Sequence, residues 1–583
     1  MSPRADAREV RGRRVVVVSR RGRVGVAQPL FEPGPQITLA RRSADVDAGQ
    51  MALADIDRRG ARILRPLGSP ERARDVLEAL LLDRGLARGF RDRVEAEAAE
   101  AAAAPRDDPG ARRDLTELDT FTVDPATARD FDDAVSARAE GDGVRLWIHI
   151  ADVAAHVRPG SALEAEAYAR ANSTYVPGAV EPMLPPALSA DACSLAPGVP
   201  RLAVTAEIVV SAGGEATSAS FYRTRIRSDA RLHYDQLDEI FAGRESPPDQ
   251  IAGPLDLARG VAAALAGRRP ESAVVVSGSE PEFRFEGRDV VAAHEVSQTE
   301  AHRLIEHLMI LCNEQVARLL ERRRVPSLYR VHEQPDPQRV RFLVEQLAAL
   351  DVPTPPLPDR PSPSEAGELV GAASRLVAAE AKRRGHGREA YTTLVLRSLQ
   401  QATYSDRNLG HAGLGSPAYA HFTSPIRRYP DLVVHRGLLS AIGEGEEPPD
   451  PVHVREAGVH CSSREREAVR VERDADSVCA SFLLERELFE SGWERGFEGE
   501  VSGVVGAGAF VRFGGDLGDV YEGFLPARLL RGEYFELNET ETALVGRRSG
   551  RAVRLGDPVE VRVDSVEAPR GRVDLIPVEG DRQ

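Results

Sequence analysis

VDPATARDFDDAV, residues 123–135, places four carboxylates within ten residues: Asp124, Asp130, Asp132 and Asp133. Like charges this close cost stability, because each ionised neighbour raises the energy of ionising the next. In an extended strand Asp130 and Asp132 share one face while Asp133 points away. Convergence of all four therefore requires the chain to turn, and Asp124-Pro125 followed by Thr127-Ala128-Arg129 permits an irregular loop. Several oxygen ligands with no histidine or cysteine beside them specify a hard cation, Mg²⁺ or Mn²⁺, which offsets the repulsion. Pairs of such ions, ~3.5–4 Å apart, serve phosphoryl chemistry in nucleases and polymerases. An EF-hand is disfavoured, since the glycine and terminal glutamate of that loop are missing at the required spacing. Spacing alone leaves open a solvated acidic loop and a structural calcium site.

Around this stretch the pattern is mixed α/β from about residue 116 to 490. VRLWIHIADV (144–153) and AVTAEIVV (203–210) read as strands. AHRLIEHLMILCNEQVARLLERRR (301–324) carries apolar residues at helical spacing. TPPLPDRPSPSEAG (354–367) and GEGEEPPDP (443–451) read as surface loops. Upstream, VVVV and RVGVA flank Arg20-Arg21-Gly22, a hairpin signal within a small barrel. From Pro70 to Ala104 the pattern is helical, and 105–114 is a polar Pro/Gly linker. Past Gly496 come five short strands separated by glycine turns, the pattern of an OB-type barrel.

The 583 residues exceed one core and predict roughly three to four domains. No apolar run approaches the ~20 residues of a membrane span, and the arginine-rich start lacks a signal-peptide core. Cys193, Cys312, Cys461 and Cys479 are far apart and form no CxxC pair, which argues against a zinc site or a disulfide framework and fits reduced thiols in a cytoplasm. The net charge of −15 does not announce a nucleic-acid binder, but it hides distribution: residues 1–27 hold eight arginines against Asp6 and Glu9. Lys382 is the one lysine, so arginine at any given site says little about bidentate recognition.

VDPATARDFDDA resembles the acidic signature of the ribonuclease II/ribonuclease R family, the RNB-domain 3′-to-5′ exoribonucleases. The resemblance extends, in the family's order, through 147–167 (WIHIADVAAHVRPGSALEAEA), 172–195 (NSTYVPGAVEPMLPPALSADACSL), 301–314 (AHRLIEHLMILCNE) and 419–436 (YAHFTSPIRRYPDLVVHR). It is closer to ribonuclease R, through RDFDDA and HFTSPIRRYPDL. It implies Asp124, Asp130, Asp132 and Asp133 as metal ligands for two Mg²⁺, with Mn²⁺ able to substitute. It also implies Asp132, Asp130 and Arg427 as catalytic residues. Tyr175 in NSTYVPG matches the tyrosine that stacks near the RNA 3′ end, Arg427 an arginine at the scissile phosphate, and Glu472 in RVERDAD a glutamate near the terminal nucleotide. These roles are chemically coherent: arginine stabilises developing phosphate charge, and a tyrosine face stacks on any base. Each also has a plain alternative: a partly buried tyrosine before a turn, a surface ion pair, and an i,i+4 helix pair for Glu472. His421 and His435 read as structural, and Cys461 and Cys479 lack a paired base for covalent catalysis.

The implied fold is multidomain: a central α/β RNB catalytic domain flanked by small β-barrel, OB-type RNA-binding domains. The expected boundaries are a reduced cold-shock-type barrel at 1–66, a helical connector and linker at 67–115, the RNB domain at 116–490 and an S1-type domain at 495–578. In GAFVRF alternation puts Phe510 and Arg512 on one face, a stacking and phosphate platform; Phe510 as core filler is the alternative. Two departures stand out. Pro526 sits where S1 domains commonly have histidine, and VHEQPDPQ offers Pro335 where ribonuclease II has an aromatic clamp.

The expected function is processive 3′-to-5′ hydrolysis of single-stranded RNA to nucleoside 5′-monophosphates by a monomeric, cytoplasmic enzyme. Alternatives are 3′-end trimming of stable RNAs and a catalytically silent RNA-binding protein. A helicase or ribosome partner is not readable from these residues.

Overall fold

The computed structural model describes the chain except residues 1–11, 23, 41–43, 87, 105–111, 276–278, 516–517, 531–532 and 579–583. Most of the linker at 105–114, and the first eleven residues with their arginines, lie outside the described residues.

The first five strands are β1 (Gly12–Arg21), β2 (Val24–Pro29), β3 (Ile37–Thr38), β4 (Met51–Asp57) and β5 (Gly60–Gly68). They form one sheet in the order β3-β2-β1-β4-β5. A bridge between Leu39 and Ala61 brings its two edges together, so the sheet curls into a small barrel around Val16, Val18, Ala52, Ala54 and Ile63. The hairpin signal lies in the turn itself: Arg21 pairs with Val24, and Gly22 takes a positive φ of 65° there. Two helices follow, α1 (Ala73–Asp83) and α2 (Asp92–Ala103), where the sequence pattern gave one helical stretch.

The central domain is organised by β6 (Arg113–Asp114), β7 (Phe121–Asp124), β8 (Asp133–Glu140), β9 (Gly143–Ala151), β10 (Thr174–Val176), β11 (Ala179–Glu181), β12 (Pro200–Val210), β13 (Ala216–Arg227) and β14 (Ala230–His233). All but the β10–β11 hairpin join a seven-stranded mixed sheet, β14-β7-β8-β9-β12-β13-β6. β9 is central and buried on both faces, which is why it reads as a nearly unbroken apolar run. Within its buried stretch, 146–151, the one polar residue is His149, whose ring nitrogens stand 3.2 and 2.8 Å from the hydroxyls of Ser136 and Thr205.

Around the sheet pack α3 (Ala162–Arg170), α4 (Tyr234–Phe241), α5 (Asp249–Gly267) and α6 (Glu300–Arg323). The helix expected at 301–324 is α6; its N-terminus is closed by a capping box between Thr299 and His302. A helical subdomain follows: α7 (Pro337–Ala349), α8 (Pro363–Arg384) and α9 (Arg388–Ser398). The loop expected at 354–367 ends early because Ser362 and Glu365 form the capping box of α8. Last come α10 (Tyr429–Ile442) and α11 (Pro451–Ser491). At 41 residues α11 is about 60 Å long. It runs from the central domain to the C-terminal barrel, where Tyr521 donates its hydroxyl to Glu487.

The C-terminal strands are β15 (Gly496–Val505), β16 (Gly508–Gly515), β17 (Gly518–Pro526), β18 (Phe535–Leu537), β19 (Ala543–Gly546), β20 (Ala552–Arg554), β21 (Pro558–Glu567) and β22 (Arg572–Pro577). Five close a barrel, β15-β16-β17-β22-β21, while β18–β20 form a three-stranded sheet that the sequence reading missed. The barrel is seated on the helical subdomain. Leu555 enters the α7–α9 core, His386 contacts the Gly556 carbonyl at 2.6 Å, and Gln346 donates to Thr540 O. Gly556, at φ +82°, lies so close to Tyr391 that a Cβ there would stand 2.5 Å from the ring.

Candidate active site

β7 ends at Asp124, held in parallel register with β14 (Asp124 opposite His233), and β8 begins at Asp133, opposite Ile150 of β9. Between them the chain leaves the sheet, as convergence of the four aspartates requires. The Ala128 N–H donates to Pro125 O, closing a turn. Ser194 then grips the loop from the facing segment: its hydroxyl donates to Arg129 O and accepts the Phe131 N–H.

The loop delivers Asp132 into a buried position, 4% exposed, where its Oδ1 accepts the Ile426 N–H at 2.8 Å. Its Oδ2 stands 3.5 Å from the Arg427 Nε but has no hydrogen-bond partner, and neither does Asp124 Oδ2. Burial pushes the Asp124 carboxyl up to about 8, helped by the charge of Asp133. Burial likewise lifts Asp133 to about 6 against the pull of Arg427 and Arg428, and Asp132 well above the ordinary carboxylate range. These carboxylates are thus desolvated and under-compensated by the protein itself.

Among the described residues no three His, Cys, Asp or Glu side chains already stand arranged to hold a metal ion. The chemistry of the aspartate set nonetheless fits a hard divalent cation: every donor is oxygen, and two buried carboxylate oxygens lack partners.

Tyr175 reaches the same loop from the β10–β11 hairpin. Its hydroxyl donates to Asp130 Oδ2 at 2.7 Å, and its backbone N–H donates to Glu472 Oε1 at 2.9 Å. Tyr175 is 37% exposed. Glu472 on α11 is therefore committed to the hairpin rather than to the i,i+4 helix pair that was the alternative, and burial raises its pKa. Arg427 projects from the turn before α10 with 45% of its side chain exposed. The turn is built by Asp431, whose Oδ1 accepts from Ser424 N (2.8 Å) and from Arg428 (2.7 Å). The Ser173 N–H adds a bond to Arg427 O, tying the turn to the segment that carries Tyr175.

Asp431 and Arg428 went unread in the sequence, as did Tyr234. Tyr234 opens α4 directly after β14 and stacks on His302 with centroids 3.9 Å apart. Burial and the charges of Asp133 and Asp124 push its hydroxyl far above its usual value. Nothing local marks it, because its nearness to the aspartates comes from β14 lying beside β7.

The remaining ionisable candidates lie within the fold. His435 is buried, its Nε2 2.8 Å from the Phe422 carbonyl and its pKa lowered by burial to about 4. His421 is half-buried, its Nδ1 2.8 Å from the Tyr404 hydroxyl. All four cysteines are free and buried; burial pushes Cys461 up to about 12.

On the C-terminal barrel Val511 and Phe513 are fully buried, while Phe510 is 39% exposed, its ring 5.2 Å from Phe524. Arg512 departs from the expected platform. It is ion-paired with Glu389 at the start of α9 and with Glu295 at 3.1 Å, so it clamps the barrel to the central domain.

Residues 112–444 match the RNB domain, and residues 494–576 match the S1 RNA binding domain. The chain belongs to the ribonuclease II/ribonuclease R family of RNB-domain proteins. It is 35% identical over 498 residues to ribonuclease R of Escherichia coli, covering 82% of this chain and 59% of that protein; the chain thus spans about three fifths of that relative's length. In structure it is similar to Mycoplasma genitalium RNase R, solved with ribose-methylated single-stranded RNA: TM-score 0.85 and 24% identity, covering 98% of this chain and 90% of that one. It also shares its fold with yeast Ssd1, described as a pseudonuclease: TM-score 0.66 and 17% identity, covering 93% and 68%. No helix among the described residues is long and apolar enough to cross a membrane.

Proposed function

We propose that this protein is a 3′-to-5′ exoribonuclease that hydrolyses single-stranded RNA processively to nucleoside 5′-monophosphates, acting as a cytoplasmic monomer. The fold occurs in a pseudonuclease as well, so the reading rests on the site. The observation that carries it is the aspartate set itself, with Asp132 buried and one carboxylate oxygen each on Asp124 and Asp132 left without a partner, bordered by an exposed arginine and an exposed tyrosine.

Asp124, Asp130, Asp132 and Asp133 would hold two Mg²⁺, with Mn²⁺ able to substitute. When bound, such ions neutralise phosphate charge and lower the pKa of water. Arg427 aims its guanidinium at the scissile phosphate and meets the negative charge that grows there. Tyr175 offers its ring to the last bases, and stacking there is tolerant of sequence. Its hydroxyl bond to Asp130 couples the seating of the 3′ end to the aspartate loop. Glu472 fixes the hairpin that carries the tyrosine, and so positions it from α11. Phe510 supplies a second stacking face on the S1 barrel; Arg512, engaged by two glutamates, is left out of the RNA path.

The test is a time course on 5′-labelled single-stranded RNA and matched DNA, with Mg²⁺ or EDTA, beside Asp132→Asn. The expected result is a metal-dependent ladder on RNA alone, ending in a short product and absent in the variant. Folded wild-type protein that binds the RNA yet cleaves nothing in Mg²⁺ or Mn²⁺ would leave an RNA-binding module instead.

A further inference from the structure

One side chain outside the expected set is bound up with the aspartate loop. Arg231 lies on β14, opposite Thr122 of β7 and two residues from the register position of Asp124. Its Nη2 donates to the carbonyls of Ala126 (2.7 Å) and Pro125 (3.0 Å), and lies 3.4 Å from that of Ala128. The guanidinium also sits over the ring of Phe131, 4.9 Å from its centroid. Phe131 is the residue between Asp130 and Asp132.

Three carbonyls converging on one point repel each other unless a cation stands among them, and here the same loop also carries four carboxylates. Arginine meets that need better than lysine: it is always charged, and its planar fork can bond carbonyls at its edge while its face rests on an aromatic ring. The brace is stiff because β14 is hydrogen-bonded along β7, the strand that ends in Asp124. Ser194 holds the loop at a second point, through Arg129 O and the Phe131 N–H. The loop is therefore pinned twice between Asp124 and Asp132, once by a charge and once by a hydroxyl.

We propose that Arg231 is a positioning residue for the metal-binding loop: it holds the backbone of 125–128 and the ring of Phe131 so that Asp124, Asp130 and Asp132 keep the spacing needed to share divalent cations. The inference rests on the exoribonuclease reading for its consequence, but not for its structural content. It does not touch the RNA or the reacting atoms.

Three readouts on the full-length protein test it, with wild type beside Arg231→Gln and Arg231→Lys. Hydrogen exchange across 126–131 is expected to quicken at least tenfold in Arg231→Gln, with the rest of the chain unchanged. The Mg²⁺ concentration for half-maximal cleavage is expected to rise at least fivefold, and high Mg²⁺ to recover much of the rate. RNA affinity in EDTA stays that of wild type, so kcat falls while KM does not. Arg231→Lys lies between the two, and it supplies the same readouts if Arg231→Gln does not fold. Unchanged loop exchange in a folded variant overturns the proposal, and so does a uniform rise along the whole chain. Wild-type protein that fails to cleave in Mg²⁺ defeats the functional reading alone, since loop exchange still decides the role of Arg231.

Discussion

Asp132 and Asp152 are both buried aspartates, and they flank adjacent strands of one sheet: Ala151, the residue before Asp152, donates its N–H to Asp132 O. Asp152 is satisfied by the protein. Arg112 bonds it at 2.7 Å, the Arg223 Nε stands 3.0 Å away, and its own Oδ1 caps the turn at Ala155. Burial raises its pKa, but the two arginines outweigh burial and hold the carboxyl below its ordinary range. Asp132 has one backbone donor and one arginine that keeps its distance, and burial wins. A fold able to surround one aspartate with counter-charge has left its neighbour short. On the function proposed here, that deficit is one a bound cation would meet.

Substituting each aspartate by asparagine breaks the comparison most directly. Asp132→Asn should lower cleavage about a thousandfold or more while leaving the protein as stable in EDTA, or more stable, because it removes a costly buried charge. Asp152→Asn should do the reverse. It leaves Arg112 and Arg223 without their shared counter-charge at a cost of about 3–5 kcal/mol, with the specific activity of the folded fraction unchanged. Denaturant melts and single-turnover rates on both variants read the two effects separately.

Tyr175 comes next. Replacing it with alanine should weaken hold on the 3′ end by about 1–3 kcal/mol and change the length of the final product on a gel. Tyr175→Phe keeps the ring and loses only the bond to Asp130, so product length should stay the same while the rate falls modestly. Equal effects for both variants would move the role of Tyr175 from its ring to its hydroxyl.

His149, on the strand between the two aspartates, sharpens the comparison through pH. Burial holds its folded pKa at about 3, below the ~6.5 of the unfolded chain. The unfolded state therefore takes the proton first, and this residue's contribution to stability falls as pH drops below about 6.5, by up to ~1.4 kcal/mol per unit. His149→Gln removes that dependence, so the stability gap between wild type and variant should shrink steadily from pH 7 to pH 5. A gap independent of pH would mean that the imidazole takes up its proton alike in the folded and unfolded chain.

The smallest effect is expected at Arg512. Arg512→Ala removes a partly exposed clamp between barrel and central domain and should cost no more than about 1 kcal/mol. RNA affinity should hardly change. A tenfold loss of affinity would restore the phosphate contact that its place beside Phe510 first implied.

What the sequence determined by itself was local chemistry and periodicity. The Asp-Pro and the spacing of four aspartates meant that the carboxylates could converge only if the chain turned between them. Alternation in GAFVRF separated the buried Val511 and Phe513 from the exposed Phe510. The apolar spacing of 301–324 placed α6 within one residue of each end. Each of these depends on forces acting within a few residues.

Tertiary structure decided whatever depends on partners far along the chain. Glu472 looks like any helix-surface glutamate until a hairpin 297 residues away offers it the Tyr175 N–H. Arg512 reads as an open platform until Glu389 and Glu295 close on it. Arg231 and Tyr234 are ordinary residues of a strand and a helix start, and only the parallel pairing of β14 with β7 puts them beside the aspartates. Whether a charge is met or left unmet is a property of the assembled site, because burial sets its cost and only the folded chain says who stands close enough to answer it.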